Sequence, residues 1–209
     1  MTETTATQQA ILDSARRHFS EKGFRGASLN QIVKDAGFTK GAFYGYYASK
    51  EELFHALVSD TFEGMSRILG SMTAQWQSYP DEERVGQLPE AYLDHLPELV
   101  DFFFEHRDDM RLILTRSEGT RYENFLQDFS GRNIARIGEV LERAHLEGCI
   151  DPDVFGMVMG SYYSMLAQIV VSDCPREEVY SKMRDVQTVF QHGLLALLDS
   201  GNHGGEMHA

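Results

Sequence analysis

Between Ser28 and Lys50 the stretch SLNQIVKDAGFTKGAFYGYYASK holds two helix starts, a glycine stop and a third helix start, and this spacing leaves the segment few ways to fold. Leu29, Ile32, Val33 and Ala36 recur at i, i+3, i+4 and i+7, which lines one face of a short helix with apolar groups. Gly37 follows as a residue free to take the left-handed conformation that ends a helix. Thr39 is placed to cap a second helix, on which Phe43 and Tyr47 turn inward together with part of Tyr46, leaving Gly41, Tyr44 and Gly45 on the outer side. Ser28 with Gln31, and Ser49 with Glu51 and Glu52, fit capping-box spacing, so helices are predicted from Leu29 and from Lys50.

Each helix start offers unpaired backbone N–H groups and a partial positive charge, which suits phosphate. Lys40 and Lys50 fall in first turns, where a cation opposes the helix dipole at a cost of about 0.3–1 kcal/mol, a placement that reads as service to an anionic partner. The net charge of −13 argues against a nucleic-acid binder until it is divided along the chain. Residues 1–50 carry seven Lys or Arg against four Asp or Glu, whereas the remainder carries 12 against 28. A basic head on an acidic body is the asymmetry expected when only the head meets a phosphate backbone.

From Ala10 to Phe54 the chain resembles the DNA-binding domain of TetR-type transcriptional regulators, the tetracycline-repressor family. The resemblance rests on a first helix ending in KGF, then SLNQIVKDAG, then TKGAFYGYY, and SKEELF opening a fourth helix. Ala42 stands where the family often has Thr or Ser, and Gly45 where it commonly has a larger side chain. Ala42 retains a methyl for a thymine, while Gly45 brings only close backbone approach. The resemblance implies that Lys40, Gly41, Ala42 and Tyr44 meet base edges or nearby backbone, with Ser28, Thr39, Tyr46 and Lys50 anchoring phosphates.

The rest of the chain reads as helix throughout, giving an all-α class: a three-helix helix-turn-helix domain over 1–50, a larger helical domain over 51–200, and a disordered tail over 201–209. The leading helix presents Ile11, Ala15 and Phe19 on one face with Leu12 beside them, and closes at Lys22 and Gly23. A long helix runs from Lys50 to Trp76, and SYPDEERVG over 78–86 reads as a loop. Helices follow from Leu88 to His106, with Pro89 in its first turn and a bend at Pro97, from His106 to Thr115, and from Tyr122 to Glu147 with Gly148 as its stop. No stretch approaches the roughly 18 consecutive apolar residues that cross a bilayer, so a cytoplasmic protein without a membrane partner is expected. Cys149 and Cys174 stand alone, without the spacing of a zinc ribbon or a disulfide framework.

In the last two helices Gly156, Gly160 and Ser164 recur every four residues, opposite Val186, Phe190 and Leu194. By the resemblance these helices pair with those of a second subunit, and a homodimer is also favoured because one short reading helix gives little affinity. The resemblance further implies a pocket for a small-molecule effector. Phe103, Tyr122, Phe125, Phe129, Tyr162 and Met165 are candidates to line it, with no basis for choosing a polar partner among His95, Arg111, Arg121, Gln168 and Glu123. No nucleotide-binding loop, nucleophile elbow or helical pair of metal-binding histidines occurs, so no cofactor, metal or catalytic residue is assigned. The expected function is a ligand-responsive, operator-binding regulator acting on double-stranded DNA, most naturally a repressor. An architectural or cell-division DNA binder without an effector, and a helical enzyme, are the competing classes.

Overall fold

In a computed structural model the chain is described over residues 6–146 and 149–204, and all regular secondary structure there is helical. The nine helices among the described residues are α1 (Ala6–Gly26), α2 (Leu29–Asp35), α3 (Lys40–Tyr44), α4 (Lys50–Ser78), α5 (Asp81–Glu105), α6 (Arg107–Thr115), α7 (Phe125–Arg143), α8 (Pro152–Val171) and α9 (Arg176–Gly204). They form two compact units. The first takes residues up to Gly64 together with His106–Phe125, and the second takes Met65–Glu105 together with residues from Leu126 onward.

The first unit is built on an aromatic cluster. Ile11, Ala15 and Phe19 of α1 are fully buried, and Phe19, Phe24 and Phe54 meet with ring centroids 5.2–5.8 Å apart. Phe24 reaches that cluster because Gly23 leaves helical space at φ 68°, ψ 168°, which turns the last residues of α1 back over its own face. Ser14 donates to the Ile32 carbonyl at 2.9 Å and His18 pairs with Asp35 at 2.8 Å, so two polar contacts fasten α1 to α2. On its other side α1 packs against α6, which buries Met110, Leu112 and Ile113. Arg16 pairs there with Asp109, whose second oxygen accepts from Thr61 of α4 at 2.9 Å. The Phe24 N–H donates to the Arg116 carbonyl at 2.8 Å.

In the second unit α8 and α9 pack on each other and α5 packs on α9. Trp76, Ile137, Val140, Leu141, Phe155 and Met159 are at the centre of its core. Asp151 starts α8 by accepting from the N–H groups of Asp153 and Val154 at 2.9 and 3.1 Å, with Pro152 in the first turn.

Several boundaries differ from the sequence expectation. Residues 81–86 are not a loop: Glu83 and Arg84 both donate to the Pro80 carbonyl at 3.0 Å, and α5 begins directly behind it and runs on through Pro97. Residues 121–124 form turns, so α7 starts at Phe125 rather than Tyr122. It ends at Arg143, because His145 takes φ 57° and the N–H of Leu146 reaches back to the Leu141 carbonyl at 2.8 Å. Glu147 and Gly148, the expected end and stop, lie outside the described residues. Residues 201–204 of the expected tail continue α9, and 205–209 lie outside the described residues.

Among the described residues α8 alone is long and apolar enough, by length and composition only, to cross a bilayer, with a mean hydropathy of 1.5 over its best window. A core helix passes the same test, so this does not overturn the membrane expectation. Ser, Tyr and Gln interrupt any count of consecutive apolar residues in α8 while Asp153 is its one charge, so the average stays high.

Gly37 shows how tightly the short helices are specified. It sits at φ 82°, and the N–H groups of Gly37 and Phe38 return to the carbonyls of Lys34 and Val33 at 3.0 Å, a closed Schellman pair. An added Cβ would meet nothing within 4 Å, so a substitution there is penalised only by the backbone. Gly37→Ala is expected to destabilise the chain by about 1–2 kcal/mol in urea unfolding, with Gly37→Asn milder.

Candidate nucleic-acid interface

The turn between α2 and α3 is framed by two caps. Ser28 accepts from the Gln31 N–H at 3.5 Å and Thr39 from the Ala42 N–H at 3.3 Å, so both hydroxyls are engaged in starting their helices. The reciprocal half of each expected capping box is missing. The Gln31 side chain donates forward to Asp35 at 2.7 Å, and Glu51 and Glu52 both pair with Arg121 while Ser49 caps the Glu52 N–H at 3.1 Å.

On α3 the division between faces is sharp. Phe43 is fully buried and Tyr47 is 7% exposed, whereas Tyr44 is 56% and Tyr46 40% exposed. Lys40, Gly41 and Gly45 are exposed as well, and Ala42 is half-buried. Phe43 lies 5.2 Å from Tyr44 and 5.7 Å from Tyr47 between ring centroids, so the buried rings set the direction in which Tyr44 projects. The arrangement presents two phenols, one ammonium and bare backbone on one side of a short helix. Such a surface can donate to phosphate and to base edges.

Lys50 is placed differently from the expected phosphate anchors. Its ammonium donates to the carbonyls of Phe24 at 2.7 Å and Ala27 at 2.9 Å and lies 4.3 Å from the centre of the Phe24 ring. Burial lowers its pKa. The side chain therefore ties the start of α4 to the end of α1. Sequence reasoning missed this because the partner carbonyls lie 26 and 23 residues earlier.

The six candidates for an effector pocket are divided between the two units. Tyr122 and Phe125 belong to the first, where Tyr122 is buried against Phe54 and Phe62 and its hydroxyl meets His55 Nδ1 at 2.5 Å. Phe103, Phe129, Tyr162 and Met165 belong to the second. There Tyr162 donates to the Gln187 side chain in the interior, its ring centroid lies 4.8 Å from that of Phe190 in a tilted contact and 5.1 Å from that of Tyr163 edge-to-face, and Phe129 meets Tyr163 at 5.4 Å. Tyr92 also bonds to Tyr162, and burial pushes the pKa of all three tyrosines, Tyr92, Tyr162 and Tyr163, well up, so they stay neutral phenols. Tyr92 and Gln187 were not anticipated, since only their burial distinguishes them from surface residues.

The candidate dimer residues also separate. Val186, Phe190 and Leu194 are half-buried against the second unit's own core. Gly156 and Gly160 have open space where a Cβ would stand, and Ser164 is exposed. Large apolar side chains left exposed on α8 and α9 are Val154, Met157, Val189 and Leu197, with Met157 at 65% and Val189 at 69%.

Residues 11–57 match the family model described as bacterial regulatory proteins, tetR family. The chain is 34% identical over 68 residues to the HTH-type transcriptional repressor AcnR of Corynebacterium diphtheriae, covering 32% of this chain and 36% of that protein. It is 30% identical over 135 residues to the HTH-type transcriptional regulator YfiR of Bacillus subtilis, covering 59% and 62%. With the first curated relatives, then, the match spans only about a third of their length. In overall fold it is similar to the fatty acid degradation regulator FadR of Bacillus halodurans, at a TM-score of 0.52 and 18% identity over 92% of this chain and 98% of that one. The capped, glycine-closed turn and its buried Phe43 fall within residues 11–57, the segment that matches the tetR family of bacterial regulatory proteins.

Proposed function

We propose that the protein is a ligand-responsive transcriptional regulator that binds a palindromic operator in double-stranded DNA as a homodimer and is released by a small-molecule effector, acting as a repressor. The observation that carries this reading is the outer face of α3 and the turn directly behind it, where Lys40, Gly41, Tyr44 and Tyr46 stand exposed beside the fully buried Phe43. Lys40 and Tyr46 then approach phosphates, Tyr44 and Ala42 reach base edges, and Gly41 and Gly45 let backbone come close. Ser28 and Thr39 contribute through the helix starts they hold in place. The role of repressor is supported by the family and by the name of AcnR alone.

The dimer uses the exposed apolar residues of α8 and α9, which pair with their copies about a two-fold axis. Two heads presented by one dimer would enter successive major-groove segments about 34 Å apart or at a related spacing. The effector belongs to the second unit, where Tyr92, Tyr162, Tyr163 and Gln187 set neutral hydrogen-bonding groups among apolar ones. Residues 106–125 supply a route to the head. They pack within the first unit through the Arg16–Asp109 and Phe24–Arg116 contacts, yet the chain on either side of them belongs to the second. A ligand that favours one arrangement of the second unit would bias α1 through them.

Salt-dependent binding to a duplex of arbitrary sequence tests the assignment of the head. Lys40→Ala should weaken binding and flatten the slope of log K against log salt by about one unit, as the loss of one phosphate contact does. Lys50→Ala should instead cost about 1.5–3 kcal/mol of stability through its carbonyl bonds, with the slope close to that of the wild type. A slope unaffected by Lys40→Ala would remove α3 from the interface.

For the dimer, Met157→Glu is expected to shift sedimentation from dimer to monomer while helical content is retained. A Met157→Glu protein that sediments as the wild type does would place the subunit contact elsewhere.

A further inference from the structure

We propose that the second unit binds, as its effector, a monocarboxylate with an apolar body, and that Arg136 of α7 holds the carboxylate with Tyr163 of α8 as a second donor. The inference rests on the reading of that unit as the effector domain and names the chemical class which that reading leaves open.

Arg136 differs from other arginines of the chain in its partners. Arg16, Arg25, Arg121 and Arg176 each pair with an Asp or Glu side chain. Arg136 is half-buried, and among the described residues no carboxylate pairs with it. Its hydrogen bonds run to Thr73 Oγ1 of α4 and Asn133 Oδ1 of α7, both at 3.4 Å and both to neutral oxygens. One nitrogen, Nη1, makes the two, so most of the five guanidinium donors are left over. Taking a cation out of water without a counter-ion is costly, and it is out of pattern in a body with 28 acidic residues to neutralise 12 basic ones.

A second free donor lies across from it. Phe129, Asn133 and Arg136 stand at i, i+4 and i+7 and so share one face of α7. Asn133 donates to the Phe129 carbonyl at 2.8 Å, and the Phe129 ring meets that of Tyr163 edge to face at 5.4 Å, which brings α8 against this face. The Tyr163 hydroxyl has no hydrogen-bond partner among the described residues, and the positive charge of Arg136 acts on it against the burial that raises its pKa. Tyr162, by contrast, is engaged by Gln187 and Tyr92.

A guanidinium fork beside a free phenol offers donors and no acceptor, which selects an anion. The parallel N–H groups of the fork match the two oxygens of a carboxylate, and a single cation balances a single negative charge, which disfavours a phosphate dianion. The rings of Phe129 and Tyr163 give the apolar part of the ligand its surface. Because the surrounding body is acidic and repels anions, affinity for one is concentrated at Arg136.

The test is calorimetric titration of the full chain with hexanoate, octanoate, decanoate and phenylacetate, each compared with its own primary amide. At least one acid should bind roughly tenfold more tightly than its amide, and Arg136→Met should remove that preference. Arg136→Lys should keep part of it, and Tyr163→Phe should weaken the acid about threefold. Urea unfolding is expected to find Arg136→Met no less stable than the wild type, since a half-buried cation without a counter-ion is removed; Arg136→Gln replaces it if it does not fold. Release of a duplex selected by the protein is followed with the same probes. Acids that bind through Arg136 without releasing the duplex would refute the effector reading and leave the carboxylate site standing. Amides that bind and release the duplex as well as the acids do would uphold the effector reading and overturn this inference. Acid binding unchanged in Arg136→Met, or no acid bound by the wild type, would overturn it as well.

Discussion

The head of this protein depends on how the end of α1 is closed. Gly23 breaks the helix so that Phe24 can enter the aromatic cluster, and the same turn presents the carbonyls of Phe24 and Ala27 to one side. Lys50 satisfies both at once, with its charge over the Phe24 ring. A polar contact of this kind is strong because the ammonium is partly desolvated, and its loss would leave two carbonyls in need of partners. It also fixes where α4 begins relative to α1. Since α2 and α3 are short and hang between these two helices, the orientation of Tyr44 is inherited from that junction.

The local signals in the sequence read accurately. Ser28, Thr39, Gly37 and Gly23 each do what their residue type dictates, because caps and left-handed stops are settled within a few residues. Misreadings begin where a side chain has a distant partner. Glu51 and Glu52 looked like capping residues and are held by Arg121, some 70 positions away, while Lys50 looked available for a phosphate and faces inward. His145 shows the remaining kind of miss: an ordinary residue in a left-handed conformation, where sequence favours the glycine that follows nearby.

Helical spacing identified the apolar rows of α8 and α9 but not which side the protein itself covers. Val186, Phe190 and Leu194 have the right period for an interface and pack against the chain's own core, whereas Met157 and Val189 remain exposed. The same limitation affected the pocket candidates. Aromatic residues close in sequence, such as Tyr122 and Phe129, fall in separate compact units because residues 106–125 fold with the head. Only tertiary structure reveals that Tyr92, Tyr162, Tyr163 and Gln187 converge, since burial and not residue type sets them apart.

The central claim is that the exposed face of α3, held by the α1–α4 junction, reads sequence in double-stranded DNA. Selection of bound duplexes from a random pool, carried out at two salt concentrations, tests it most directly. The account predicts recovery of a palindrome whose half-sites are separated by about one helical turn or a related spacing, retained at the higher salt. Recovery of sequence-blind duplexes that are lost as salt rises would contradict it.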